Sequence, residues 1–293
     1  MPTSPRDDPE PPFWQTAMLD LMGHRHAYAF TPPAPAPGQP VSLLAFHGFG
    51  TSGFRTYRFL APQLRAAGIP LYAPDLLGFG GSDKPAGGYS LRRYAALADA
   101  FADALSLERP VLVGHSMGAK IAAAAAALYP HRFAGLILIN PGGFHPLARL
   151  NTVLAERAWV LRLFEHEWFF RGLLPRTPLG AVFQSDANRS ELRRLHGSHA
   201  ALDLDATGLR PQLRALALPS LLLWGEDDRL LLPGTRRAVE RTLPGIEVVR
   251  MPGAGHAPMK DRPDALSAAI ERFVRTRLSG TNGSATGASD VIS

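Results

Sequence analysis

Val111-Leu112-Val113-Gly114-His115-Ser116-Met117-Gly118-Ala119 decides the reading of this 293-residue chain. Pro110 to Val113 is a short apolar run of strand type. Ala119 to Leu128 is mostly alanine, a strong helix former, and Tyr129-Pro130 stops it. Between them lies a Gly-x-Ser-x-Gly turn. A strand, such a turn and a helix in that order make the setting of a nucleophile elbow. Gly114 and Gly118 leave room for strand and helix to approach. The turn then holds the Ser116 hydroxyl in a cleft, and the helix N-terminus behind it favours developing negative charge.

Outward from this stretch the chain alternates. Apolar strand runs are expected near Ala27–Phe30, Val41–Phe46, Pro70–Ala73, Val111–Val113, Gly135–Ile139, Ser220–Trp224 and Glu247–Met251. Helical segments are expected near Arg55–Ala67, Leu91–Leu107, Ala119–Tyr129, Pro233–Leu243 and Arg262–Leu278. Strands that are apolar on both faces, alternating with helices, predict a mostly parallel sheet covered on both sides. The proline-rich stretch Thr31 to Gln39 reads as a stiff loop.

One segment breaks the alternation. Residues 144–218 carry no strand signal and recur at helical spacing through Leu147, Leu150, Leu154, Ala158 and Leu161. Aromatic residues gather there, among them Trp159, Phe164 and Trp168. An insertion between two core strands is expected to form a helical cap over the sheet's C-terminal edge, where open α/β sheets bind ligands. These three aromatics are expected to face Ser116 in part and to bind substrate. The expected organisation is an N-terminal lead-in at 1–23, core at 24–143, cap at 144–218, core again at 219–278 and a disordered tail at 279–293.

Composition narrows the chemistry. Apolar residues make up 46%, and no apolar stretch has the length of a membrane span. Residues 1–10 are acidic and proline-rich, unlike a secretory signal, so a cytoplasmic protein is expected. The chain has no cysteine, which excludes disulfides, thiolate catalysis and cysteine zinc sites. The net charge of +6 comes from arginine, with lysine only at Lys84, Lys120 and Lys260. No dense basic run appears, so no nucleic-acid partner is expected. His24-Arg25-His26 and His196-Gly197-Ser198-His199 lack a third ligand at obvious spacing, and no metal is expected.

Ser116 needs a base, and Gly253-Ala254-Gly255-His256 follows the last strand run. Flanking glycines can lift an imidazole over the sheet edge, which makes His256 the expected base. The base needs an orienting carboxylate. Leu221-Leu222-Leu223-Trp224-Gly225-Glu226-Asp227-Asp228 is a strand run ending in an acidic turn. Asp228 is the expected acid, with Asp227 second. The glycine-flanked loop His47-Gly48-Phe49-Gly50 follows another strand run, and the Phe49 and Met117 N–H groups are the expected oxyanion donors. His47 is expected to bond loop backbone. Lys120 either snorkels from its helix or lines the cleft.

Four motifs now stand in order: His47 to Gly50; Asp75-Leu76-Leu77-Gly78-Phe79-Gly80-Gly81-Ser82; Gly114 to Gly118; and Gly225 to Asp228 paired with Gly253 to His256. Over about residues 24–278 the chain resembles the α/β-hydrolase superfamily, in its branch with a single helical cap. The resemblance implies the α/β-hydrolase fold, a Ser116–Asp228–His256 triad and no cofactor, with Asp75 structural. Haloalkane dehalogenases and epoxide hydrolases of that superfamily use aspartate as nucleophile, and position 116 is serine. Some members place the acid one strand earlier, where Asn140-Pro141 offers no carboxylate. The expected activity is hydrolysis of a small or medium apolar carboxylic ester through an acyl-enzyme. Ile139 to Phe144 resembles the approach to the cap in carbon–carbon bond hydrolases of ring-cleavage products. That is the alternative reaction, with Arg149 or Arg189 available for a substrate carboxylate. A non-catalytic accessory or binding protein on the same fold is a third reading, though such a protein is expected to have lost a triad member.

Overall fold

The computed structural model describes residues 13–32, 41–147, 190–191, 194–195, 202–204 and 208–278. Eight strands form one sheet: β1 Gln15–Leu21, β2 His24–Phe30, β3 Leu43–Phe46, β4 Leu71–Pro74, β5 Val111–His115, β6 Gly135–Ile139, β7 Ser220–Gly225 and β8 Glu247–Met251. Their spatial order is β1-β2-β4-β3-β5-β6-β7-β8. β2 pairs antiparallel with both β1 and β4, and every other pairing is parallel, so β2 alone runs against the rest.

The apolar runs of the central strands are two-faced because β3, β5, β6 and most of β7 are buried on both sides. Leu44, Phe46, Leu112, Leu136, Leu138 and Leu222 point into one core with α3 (Leu91–Ala104) and α4 (Met117–Leu128). Their neighbours Leu43, Ala45, Val113, Ile137, Ile139 and Leu223 point into a second core. That second core is closed by α1 (Gly53–Tyr57), α2 (Ala61–Ala66) and the last helix through Leu266, Ile270 and Phe273. The alanines of α4 have a packing reason: Ala122 to Ala126 are all fully buried. Small side chains let this helix lie between the sheet and α3 without clash.

Further α-helices among the described residues are α5 (Arg210–Arg214), α6 (Thr235–Thr242), α7 (Pro258–Asp261) and α8 (Pro263–Arg277). The helical segment expected over Arg55–Ala67 is two helices, α1 and α2, with Pro62 in the first turn of the second. β1 lies inside the stretch read as a lead-in. Its residues are exposed or half-buried throughout, Met18 to 42%, and only the short half-buried stripe of Leu19 and Leu21 packs against the core.

Of the expected cap at 144–218, the described residues contain no strand. Phe144, Leu195, Leu202, Leu204 and Leu213 are buried in the core beside α4. The Arg194 guanidinium donates to the Gly78 carbonyl at 3.0 Å, joining this region to the loop after β4. Among the described residues no helix is long and apolar enough to cross a membrane.

Candidate active site

Parallel register sets the site. Phe46, Gly114, Leu138 and Leu222 stand level across β3, β5, β6 and β7. The chain therefore leaves these four strands side by side, and the loops that follow share one edge.

Ser116 sits between β5 and α4 with φ 52° and ψ −113°, a backbone conformation sparsely populated by residues other than glycine. The tightness of the turn explains its glycines. A Cβ on Gly114 would stand 2.4 Å from the Gly118 carbonyl oxygen, and one on Gly118 would stand 2.1 Å from the Phe46 carbonyl oxygen.

The Ser116 Oγ lies 3.0 Å from His256 Nε2, and His256 Nδ1 lies 2.8 Å from Asp228 Oδ2. A carboxylate only accepts, so Nδ1 carries the imidazole proton and Nε2 is free to accept the serine hydroxyl. Asp228 Oδ2 also accepts the Asn140 side-chain N–H at 2.6 Å. Its Oδ1 accepts the N–H groups of Leu230 and Leu231 at 2.8 and 3.1 Å. Burial alone would raise the Asp228 pKa. The hydrogen bond and charge of His256, then Asn140 and Leu231, outweigh it and hold the carboxyl down to about 2. Asp227 has its side chain exposed and gives only its N–H, to the Ala254 carbonyl at 2.9 Å.

The two expected oxyanion positions flank the serine. A Cβ on Gly48 would stand 3.3 Å from Ser116 Cβ, which puts Phe49 on the adjoining turn. Met117 opens α4, so its N–H is one of the first-turn donors that no helical carbonyl takes. His47 bonds backbone on both sides. Leu76 N–H donates to Nε2 at 2.9 Å, and Nδ1–H donates to the Gly48 carbonyl at 2.7 Å. Burial holds this imidazole below its ordinary pKa and neutral. Asp75 accepts the Gly53 and Gly81 N–H groups, both at 2.7 Å, and ties the loop after β4 to the start of α1.

Lys120 lies one helical turn beyond Ser116, packed against Gly143. Burial lowers its ammonium to about 8, with Asp203 acting the other way. Trp159, Phe164 and Trp168 lie outside the described residues, as do Arg149, Arg189, His196 and His199. Among the described residues no group of three histidine, aspartate or glutamate side chains could hold a metal. The reading from sequence missed Asn140 as a partner of Asp228. In the sequence that position stands out for lacking a carboxylate and for lying in the Ile139 to Phe144 stretch, not as a hydrogen-bond donor.

The family profile described as "alpha/beta hydrolase fold" matches residues 41–263. The chain is 30% identical over 250 residues to the 2-(acetamidomethylene)succinate hydrolase of Mesorhizobium japonicum, covering 81% of this chain and 89% of that protein. It is also 30% identical over 259 residues to haloalkane dehalogenase 2 of Mycobacterium tuberculosis, covering 80% and 88%. A thermophilic esterase from Thermogutta terrifontis superposes with a TM-score of 0.65 at 25% identity, over 90% of this chain and 100% of that one.

Proposed function

The chain belongs to the α/β hydrolase fold family, and from that premise we propose that it is a cofactor-independent serine hydrolase acting on small or medium apolar carboxylic esters. The observation that carries this reading is the unbroken hydrogen-bonded run from Ser116 Oγ through the His256 ring to Asp228 Oδ2.

In this reading Ser116 Oγ attacks the ester carbonyl carbon while its proton passes to His256 Nε2. The Phe49 and Met117 N–H groups bind the oxyanion, each worth roughly 2.7–4 kcal/mol in the transition state. The tetrahedral intermediate collapses, the C–O bond to the alcohol breaks, and His256 returns the proton to the leaving oxygen. Water then attacks the acyl carbon, His256 takes one water proton, and the acid leaves as Ser116 regains its hydrogen. Asp228 keeps the imidazole in the required tautomer and stabilises its charged form. An aspartate nucleophile belongs to a different reaction, and the elbow residue here is serine.

The test is a panel of p-nitrophenyl esters of increasing acyl length, run beside a vinylogous diketone acid of the ring-cleavage type. Ester turnover lost in Ser116→Ala supports the reading. Turnover of the diketone acid with none of the esters would contradict it.

A further inference from the structure

His115, the last residue of β5, points into the same face as Val111 and Val113. Its Nε2 lies 2.7 Å from the carbonyl oxygen of His256. A carbonyl only accepts, so Nε2 carries the proton and Nδ1 keeps a bare lone pair. That Nδ1 is buried without a hydrogen-bond partner. The space beside it is tight, since a Cβ on Gly48 would stand 3.0 Å from Nδ1. His115 therefore touches three parts of the site at once: it adjoins Ser116 in the chain, packs against the Gly48 loop and holds the backbone of His256.

The loop that carries His256 is held by its carbonyls. Asp227 N–H meets the Ala254 carbonyl at 2.9 Å, Asn140 Nδ2 meets the Gly255 carbonyl at 3.5 Å, and His115 Nε2 meets the His256 carbonyl at 2.7 Å. These donors follow β7, follow β6 and end β5. The His115 bond is the short one to the residue that bears the base.

Packing alone does not call for this side chain. A buried imidazole with one nitrogen unmet costs stability that an apolar residue of similar volume would not. We infer that His115 is a positioning residue for the base: its Nε2–H, donated to the His256 carbonyl, sets the loop so that His256 Nε2 meets the Ser116 hydroxyl. The inference rests on the reading of Ser116 and His256 as nucleophile and base.

The charge state of His115 suits that task. The titratable groups facing it are His256, Asp228 and His47. Burial first, and then His256, hold its pKa down to about 3. Its ring, with its centroid 5.0 Å from that of His256, stays neutral while His256 gains and loses a proton.

The experiment compares the parent protein with His115→Leu and His115→Gln. The readouts are kcat and KM for p-nitrophenyl butyrate, and the pH dependence of fluorophosphonate labelling at Ser116. Labelling needs the same step, because Oγ bonds to phosphorus, fluoride leaves and the hydroxyl proton goes to His256. His115→Leu is expected to lower kcat and the labelling rate roughly 10- to 100-fold, the scale of a slight misplacement of a catalytic group. KM should stay nearly unchanged, the melting temperature should not fall, and the acid limb of the labelling profile should move. His115→Gln, whose side-chain N–H reaches about as far, should recover most of the loss. If His115→Leu does not fold, the labelling profile of His115→Gln decides: a profile like the parent's supports the inference, and loss of labelling overturns it. Parent-like rates in a folded His115→Leu would overturn this inference and leave the serine reading standing. An unlabelled Ser116 in the parent would overturn both.

Discussion

Asn140 Nδ2 donates at 2.6 Å to Asp228 Oδ2, the same oxygen that accepts the His256 Nδ1–H. The other end of the amide accepts the Gly225 N–H at 2.9 Å, so both of its ends are fixed. Asn140 is fully buried and sits at φ 38°. It stabilises the Asp228 charge without neutralising it, and leaves His256 as the only partner that exchanges protons.

Removing that donor should therefore raise the Asp228 pKa and weaken its hold on His256. Asn140→Gly keeps the backbone conformation accessible while removing both ends of the amide, the donor to Asp228 and the acceptor for the Gly225 N–H. A bond to a charged group is worth about 1.5–3 kcal/mol, so kcat/KM should fall roughly 10- to 100-fold. Asn140→Ala should lose similar activity and about 1 kcal/mol more stability, because alanine disfavours this φ. Ester kinetics and urea denaturation measure the two effects separately.

The acidic turn offers a direct comparison. Asp228→Asn should lower kcat by about 10⁴-fold through the wrong imidazole tautomer. Asp227→Asn should leave it within about twofold, the usual scale for an exposed surface change. Reversed results would move the orienting role to Asp227.

Three buried histidines should make stability fall on the acid side of neutrality, opposed there by Glu191, whose burial raises its carboxyl to about 7. His26, His47 and His115 are all buried and all held below the ordinary imidazole value, burial being the first cause in each. The unfolded chain then binds more protons than the fold once pH drops below 6.5, and stability declines as pH falls toward each folded pKa. Each such group contributes up to about 1.4 kcal/mol per pH unit. For His115 the decline continues to about 3. Denaturation midpoints between pH 7.5 and 5 should show it, and His26→Leu, which removes a buried ring edge-on to Phe101, should flatten the slope.

Gly118→Ala tests the tight turn. The added Cβ would meet the Phe46 carbonyl at 2.1 Å, and β3 can yield only by breaking its register with β5. A loss of about 3 kcal/mol or more is expected, beyond the usual range for overpacking. A melting temperature within a degree or two of the parent would contradict the packing account.

The fold was legible wherever burial is local. Gly135–Ile139 and Glu247–Met251 have the bounds that their apolar runs predict. β1 was not legible, because this edge strand sinks only Leu19 and Leu21 part-way against the core and is held mainly by its hairpin pairing with β2. Ser116, His256 and Asp228, which the fold brings within hydrogen-bonding reach of one another, each sit in a short sequence pattern of glycine and apolar strand. Asn140 and His115 were not readable as supports of the site. What each does depends on which loops meet at the ends of β5, β6 and β7, and no neighbouring residue encodes that meeting.

Whether Ser116 is a nucleophile activated by His256 is decided by incubation with a fluorophosphonate followed by peptide mass analysis. One phosphonyl adduct is expected, on the peptide containing Ser116, formed rapidly in the parent, slowly in Asp228→Asn and not at all in Ser116→Ala or under denaturing conditions. No adduct on the folded parent, or an adduct on a different serine that persists in Ser116→Ala, would contradict it.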